Sequence, residues 1–363
     1  SNPTSSLDSG DLAFVTGDSN LKFYNGSSWV AISPGIANVV DDSTPQLGGN
    51  LDLNSNNITG TGGIPAANLT GTIADARLSS PPIPNKVGGT NFTNSLLVGT
   101  DSTGTLSSAE KNTGVGIGVL GALTTGDNNV AVGYNALDLN TTGAQNTALG
   151  RGALASNTTA SSNTAVGYNS SHCNTTGTNN TSVGCVSLNK NTTGDNNTAI
   201  GRSALACNTT ADNNTALGYL ALLDNTTGAS NVAIGKEALC ANTTASNNIA
   251  IGCGALTANT TGPDNTAVGL ISLASNTEGA GNIAVGRAAL ATNTTADRNT
   301  VVGTCAAYST QGTGHSNSVL GYEALKCNTT GCYNIAIGCH SLLDNTTGKF
   351  NVALSRALIN NTT

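Results

Sequence analysis

The stretch that decides the fold is Asn129-Val130-Ala131-Val132-Gly133-Tyr134-Asn135-Ala136-Leu137-Asp138-Leu139-Asn140-Thr141-Thr142-Gly143, because the chain then begins again with Asn146-Thr147-Ala148-Leu149-Gly150. The step is 17 residues. Its glycine stands at Gly99, Gly116, Gly133, Gly150, Gly167, Gly184, Gly201 and every 17 residues on to Gly303. Gly321 follows after 18, Gly338 restores 17, and Ser355 takes the glycine's place in the last repeat. Four residues before each glycine is an asparagine (Asn129, Asn146, Asn163, Asn180, Asn197 and on to Asn351), with Ser95 the early exception. Seven residues after it comes Asn-Thr-Thr-Gly or a near variant, and four after it a leucine (Leu137, Leu154, Leu205, Leu222). Self-similarity at a fixed step marks a repeat architecture.

Helical repeats need roughly 30 or more residues per unit, because two helices must pack on each other. Seventeen residues rich in Asn, Thr and Gly cannot supply them. The residue before each glycine is aliphatic (Val132, Leu149, Val166, Val183, Ile200), and two earlier stands Thr, Val or Ile (Val130, Thr147, Thr164, Thr181, Thr198). That is the period-two pattern of a pleated strand. The expected fold is therefore all-β: a parallel β-solenoid (β-roll) over 95–363, one coil per repeat, stacked about 4.8 Å apart. Each unit reads as strand, turn, short strand and polar turn. Gly and Asn tolerate the left-handed backbone of a tight corner, and stacked asparagines can bond to their counterparts in the next coil.

The side-chain columns also predict an orientation. The Val/Ile and Leu columns are expected to fill the coil, leaving an alanine stripe (Ala131, Ala148, Ala165, Ala199) on the other strand face. An apolar stripe facing outward would need a covering partner, which points to a homo-oligomer, most simply three chains side by side. The competing reading has Ala inward in a very tight coil.

Ahead of the array, 1–34 reads as a small β-hairpin module. Leu12-Ala13-Phe14-Val15 and Leu21-Lys22-Phe23-Tyr24 are followed by an Asn25-Gly26 turn and Trp29-Val30-Ala31-Ile32. Asn-Gly between apolar runs is a strong hairpin signal. Residues 35–94, rich in Gly, Pro, Ser and Asn, read as an extended connector with brief strands near 51–54, 57–60 and 68–71.

Composition narrows the function. A net charge of −7 and a pI near 4.7 argue against a nucleic-acid partner, which calls for a basic face. No apolar run is long enough for a membrane span, and no signal peptide is expected at the start. The chain begins at Ser1 and has no Met, which suggests a processed form or a fragment. It stops mid-repeat at Thr363, so a further domain or an end-to-end copy is expected to cover that end.

Chemical motifs dissolve into the repeat. Gly116-Ile117-Gly118-Val119-Leu120-Gly121 matches the dinucleotide-binding glycine pattern, but Gly116 is a column glycine and no helix is expected after it. No cofactor or metal is expected. The nine cysteines fit no zinc spacing and their number is odd. Three couples recur (Cys173/Cys185, Cys240/Cys253, Cys327/Cys339); bridges between coils compete with the reading of small, semi-buried replacements. His172, His315 and His340 are expected to be isolated and solvated, and Asp41-Asp42 to form a turn. The Asn-Thr-Thr sequons look structural rather than glycosylated. Only 304–316 breaks the pattern, carrying the extra residue with Tyr308, Gln311 and His315. These are the candidates for a ligand contact, against the reading of a tolerated insertion.

The stretches Val40-Asp41-Asp42-Ser43-Thr44-Pro45-Gln46-Leu47-Gly48-Gly49-Asn50-Leu51-Asp52-Leu53-Asn54 and Gly10-Asp11-Leu12 through Trp29-Val30 resemble N-terminal parts of marine bacteriophage tail-fibre and other virion structural proteins. The Asn-Thr-Ala-Val-Gly array resembles repeats of those same proteins. It is also similar to the β-roll head of trimeric autotransporter adhesins, whose unit is shorter. The resemblance implies a non-enzymatic virion fibre subunit, extracellular, that reaches or binds a host-surface glycan or protein beside other virion proteins. The alternative is a bacterial extracellular filament or surface adhesin assembled by coil stacking. A sugar-cleaving tailspike would need paired carboxylates, which the array lacks. The Thr-Thr columns raise ice binding as a further competitor.

Overall fold

The computed structural model describes residues 8–15, 20–32, 85–87, 91–99 and 104–362. The chain divides into two compact units, Ser1–Ala74 and Asp75–Thr363.

In the first unit, β1 (Leu12–Val15), β2 (Asn20–Tyr24) and β3 (Trp29–Ile32) form an antiparallel sheet in the order β1-β2-β3. The turn between β2 and β3 is closed by the Asn25 side chain. Its Oδ1 accepts from the backbone N–H of Ser27 at 3.0 Å and of Ser28 at 2.8 Å. Gly26 supplies the positive φ, +94°, that an Asn-Gly turn exploits. Tyr24 and Trp29 face each other across the strands with ring centroids 5.5 Å apart. The module anticipated over 1–34 is thus a three-stranded sheet. The brief strands anticipated at 51–54, 57–60 and 68–71, and the Asp41-Asp42 turn, lie outside the described residues.

The second unit is a parallel β-solenoid. β4 (Asn85–Val87) pairs antiparallel with β5 (Leu96–Val98), covering one edge. From β5 onward every strand is three residues long and parallel to the next, one per repeat, through β6 (Thr113–Val115) and β7 (Val130–Val132) to β20 (Val352–Leu354). Equivalent residues stack: Thr198 pairs with Thr215, Ala199 with Ala216, Ile200 with Leu217. Among the described residues every pairing joins consecutive strands and none joins β20 to β4, so the column is an open stack and not a closed barrel. Where the step lengthens to 18, β17 (Thr300–Val302) still meets β18 (Ser318–Leu320) in register, Thr300 opposite Ser318. The corner absorbs the extra residue.

The interior reverses one expectation. The alanine column is fully buried (Ala131, Ala148, Ala165, Ala199, Ala216, Ala233), whereas the residues flanking it point outward, with Val130 41% and Leu149 47% exposed. The alanine stripe is therefore core and not a seat for a partner chain; the Val/Ile columns form the outer sheet face. A 17-residue coil is the reason. Its single leucine per turn, buried at Leu137, Leu154, Leu205 and Leu222, already fills the space opposite the strand, and only a methyl group fits beneath it. Later turns obey the same volume rule. Ala307 replaces the leucine where Val301 and Val319 replace the alanines, all buried.

The expected second short strand is also absent among the described residues. In its place the Ala-Leu half is a left-handed corner, with φ +53° at Asn135 and +51° at Leu137. A leucine rarely adopts that conformation. Here its amide is held by hydrogen bonding: Leu137 N–H donates to Ala153 O in the following turn at 3.0 Å, and Asn135 N–H donates to Ile117 O in the preceding one at 2.9 Å.

Two asparagine ladders tie the turns together as expected. Asn197 N–H donates to Asn180 Oδ1 at 2.9 Å, and its own Nδ2 donates to Ala211 O at 2.9 Å. In the second ladder Asn208 Nδ2 donates to Asn191 Oδ1 at 2.8 Å and to Ala211 O at 3.0 Å. Among the described residues no buried side-chain N or O lacks a partner. Asn197→Ala strands the buried Asn214 N–H, which donates to Asn197 Oδ1 at 3.0 Å. The expected cost is about 2–3 kcal/mol, read as an earlier thermal transition, while Thr210→Ala on the exposed corner shifts stability by under about 0.5 kcal/mol.

The apolar core is interrupted once. It runs from Phe92 to Ala165 and resumes at Leu188. Between them Ser171 takes the leucine's place, and Ser170, Ser182 and Ser187 take alanine places. Their hydroxyls bond to one another: Ser170 Oγ to Ser182 Oγ at 2.6 Å, Ser171 Oγ to Ser182 Oγ at 2.8 Å.

Candidate functional site

With the alanines inward, the outer sheet face consists of two columns, the residues immediately before and immediately after each alanine. Across β5 to β20 they are Thr, Ser, Val, Ile or Leu, with no charge in either column. Several of their aliphatic members are exposed, including Leu217, Ile249, Ile251, Ile283 and Leu320, and the rest are half-buried. Solvated sheet faces alternate toward polar side chains; here the leading column is mostly Thr or Ser, but the trailing column is aliphatic in every strand.

Beside that face runs a column formed by the residue after each glycine. Arg151 lies between the rings of Tyr134 and Tyr168, its guanidinium carbon 5.7 and 5.4 Å from the ring centres. Its Nη1 donates to Tyr168 Oη at 3.2 Å. Arg202 lies over Tyr219 at 5.7 Å in the same way. These exposed contacts, each worth about 0.5–1 kcal/mol, brace the column along the stack. Three exposed cysteines share it: Cys185, Cys253 and Cys339.

All nine cysteines are free, so none of the three couples is bridged. Most are half-buried, in keeping with small replacements, and Cys332 is buried. The glycine motif 116–121 is structural: Gly116 (φ +140°) ends β6, Gly118 (φ +69°) turns the corner, and no helix follows. The sequon asparagines are buried, with each side-chain amide committed to the ladder, as at Asn208. In the Thr-Thr columns, the first threonine spends its hydroxyl on the next turn, Thr209 Oγ1 donating to Thr226 O at 3.1 Å.

The structure does not bring Tyr308, Gln311 and His315 together: no hydrogen bond or ring contact joins them among the described residues. The extra residue produces an exposed corner at 311–313, with φ +50° at Gly312, and Thr310 fills the asparagine's buried place. His315 instead packs edge-on against Tyr333, 5.1 Å between centres, and Tyr333 stacks on Phe350 at 5.1 Å.

Nor are the histidines isolated. His172 Nδ1 lies 3.7 Å from Cys173 Sγ. His340 lies against Tyr322 (5.5 Å between centres), Glu323 and Cys339. Lys326 Nζ stands 2.9 Å from Glu323 Oε1, and that hydrogen bond holds the carboxyl below its ordinary range. A hydrogen bond with the same carboxylate raises the Tyr322 phenol. Motif searches miss this group because its members are far apart in local sequence. The repeat step reveals it, since 323 and 340 are one turn apart. Among the described residues no group of His, Cys, Asp and Glu is arranged to hold a metal ion, and no helix is long and apolar enough to cross a membrane.

Comparison with known proteins finds no family model, curated protein or solved structure that matches the chain.

Proposed function

We propose that this chain is a non-enzymatic structural subunit of a fibre, a phage tail fibre that reaches or binds the host cell surface from an extracellular virion. The observation that supports this most is the uncharged outer face, whose trailing column is aliphatic in every strand along the whole parallel stack. Sixteen strands at about 4.8 Å extend on the order of 70 Å, and two side-chain columns span roughly 10 Å. The strip therefore offers on the order of 700 Å² per copy, which a ring of three would divide between two neighbours, burying on the order of 2,100 Å² in all, beyond the roughly 1,600 Å² total of a standard stable interface. Further copies of this chain are its natural occupants, because only they repeat with the same rise and present the same flat, uncharged columns. With two outer columns per chain, three copies around one axis can set the leading column of each against the trailing column of the next. Contacts with a host glycan or protein, each weak, would then recur on every copy, and avidity would supply the affinity.

Native mass determination, with electron micrographs of the same sample, tests the reading. Three copies of the 35.9 kDa chain in thin rods are expected. Ile249→Lys combined with Ile251→Lys is expected to return single chains with unchanged circular dichroism. A compact monomer at micromolar concentration overturns the assembly, and absence of the chain from purified phage particles overturns the virion assignment.

A further inference from the structure

His340 and Glu323 occupy the same place in successive turns, each the second residue after its column glycine, Gly338 and Gly321. Glu323 is kept ionised by Lys326, 2.9 Å away, so its oxygens can only accept. Glu323 Oε2 lies 3.4 Å from His340 Nε2, which assigns the ring hydrogen to Nε2. The other nitrogen, Nδ1, is then left with its lone pair, and it lies 3.6 Å from the Sγ of Cys339. Cys339 is exposed in the column that follows the glycines. Thiol, ring base and orienting carboxylate thus stand in series, the arrangement that activates a nucleophile.

We infer that Cys339 is a nucleophilic thiol built for exchange with disulfides, a covalent attachment point in the exposed column that follows the glycines. In the step, Cys339 passes its proton to His340 Nδ1, and the imidazolium so formed donates through Nε2 to Glu323. The thiolate sulfur attacks one sulfur of the incoming disulfide. A new S–S bond forms, the old one breaks, and the departing thiolate takes the proton from His340. The disulfide is the oxidant, and no other reagent is required.

The chain contains its own controls. Cys185 and Cys253 are exposed in the same column, each one residue after its glycine. They are followed by Val186 and Gly254, which offer no base. Cys173 has the His172 nitrogen at 3.7 Å, but among the described residues no carboxylate bonds to that ring. The inference does not depend on the fibre reading.

The test treats the full chain with the uncharged disulfide dithiodipyridine, following thione release and locating the adducts by peptide mass. Cys339 is expected to react at least about tenfold faster than Cys185 and Cys253. His340→Asn preserves a side chain that tolerates the left-handed φ of +58° while removing the base. That variant and Glu323→Gln are each expected to bring Cys339 down to the rate of Cys253 with the thermal melt unchanged. Equal rates in the unaltered chain overturn the inference, and so does a preference that survives both substitutions.

Discussion

Gly286→Ala is expected to melt the turns around it well before the rest of the array, at a local cost above about 3 kcal/mol. Gly286 has φ +134°, a region that residues with a side chain essentially do not enter. Space is a separate obstacle. A Cβ built there would lie 2.6 Å from Gly303 O and 2.7 Å from Gly303 C. Both belong to the backbone of the next turn, held in place by its own ladder, so nothing flexible can yield. The same approach recurs down the column, Gly184 against Gly201 O at 2.5 Å and Gly269 against Gly286 O at 2.5 Å. The glycine therefore sets how closely turns stack. Gly281 is the control. It too has positive φ, +65°, but a Cβ there would have only Arg298 Cγ nearby, at 3.8 Å. Its column carries Asn196 and Asn213 at φ +58° and +62°, so Gly281→Asn is expected to leave stability unchanged within about 0.5 kcal/mol. Stability in such stacks is a sum of local terms, so hydrogen exchange, which resolves individual turns, is the appropriate measurement.

The array, its register and its asparagine ladders were legible because the 17-residue step forces equivalent residues into columns, whatever the shape of the coil. The Asn25-Gly26 turn was legible for a local reason, the short side chain and the free φ. Orientation was not. An alternation such as Thr198-Ala199-Ile200 looks the same whether its middle residue faces in or out, since both faces are apolar. The interior volume decides, and that volume depends on the corner at Leu137 and its equivalents. A leucine with φ near +50° contradicts its own propensity, and its corner is held by hydrogen bonds to the turns on either side. The expected second strand failed on the same residue. Reading by motif also left His340 solvated, whereas reading by column places it over Glu323.

The orientation of the strand underlies both the narrow core and the uncharged outer face, and one pair of substitutions tests it. Ala216 is fully buried, while Leu217 beside it is 44% exposed. Ala216→Gln would drive a longer side chain with an unpaired amide into a filled interior, at a cost of about 4 kcal/mol from overpacking and desolvation together. Leu217→Gln places the same amide in water, at under about 0.5 kcal/mol to the fold of the chain. Thermal unfolding followed by circular dichroism, with both variants measured beside the unaltered protein, is the measurement. Loss of the folded turns in Ala216→Gln, with Leu217→Gln keeping the folded turns of the parent, is the expected result. The opposite order, Leu217→Gln unfolding while Ala216→Gln is tolerated, would mean that the alanines face outward and the core is wrongly assigned.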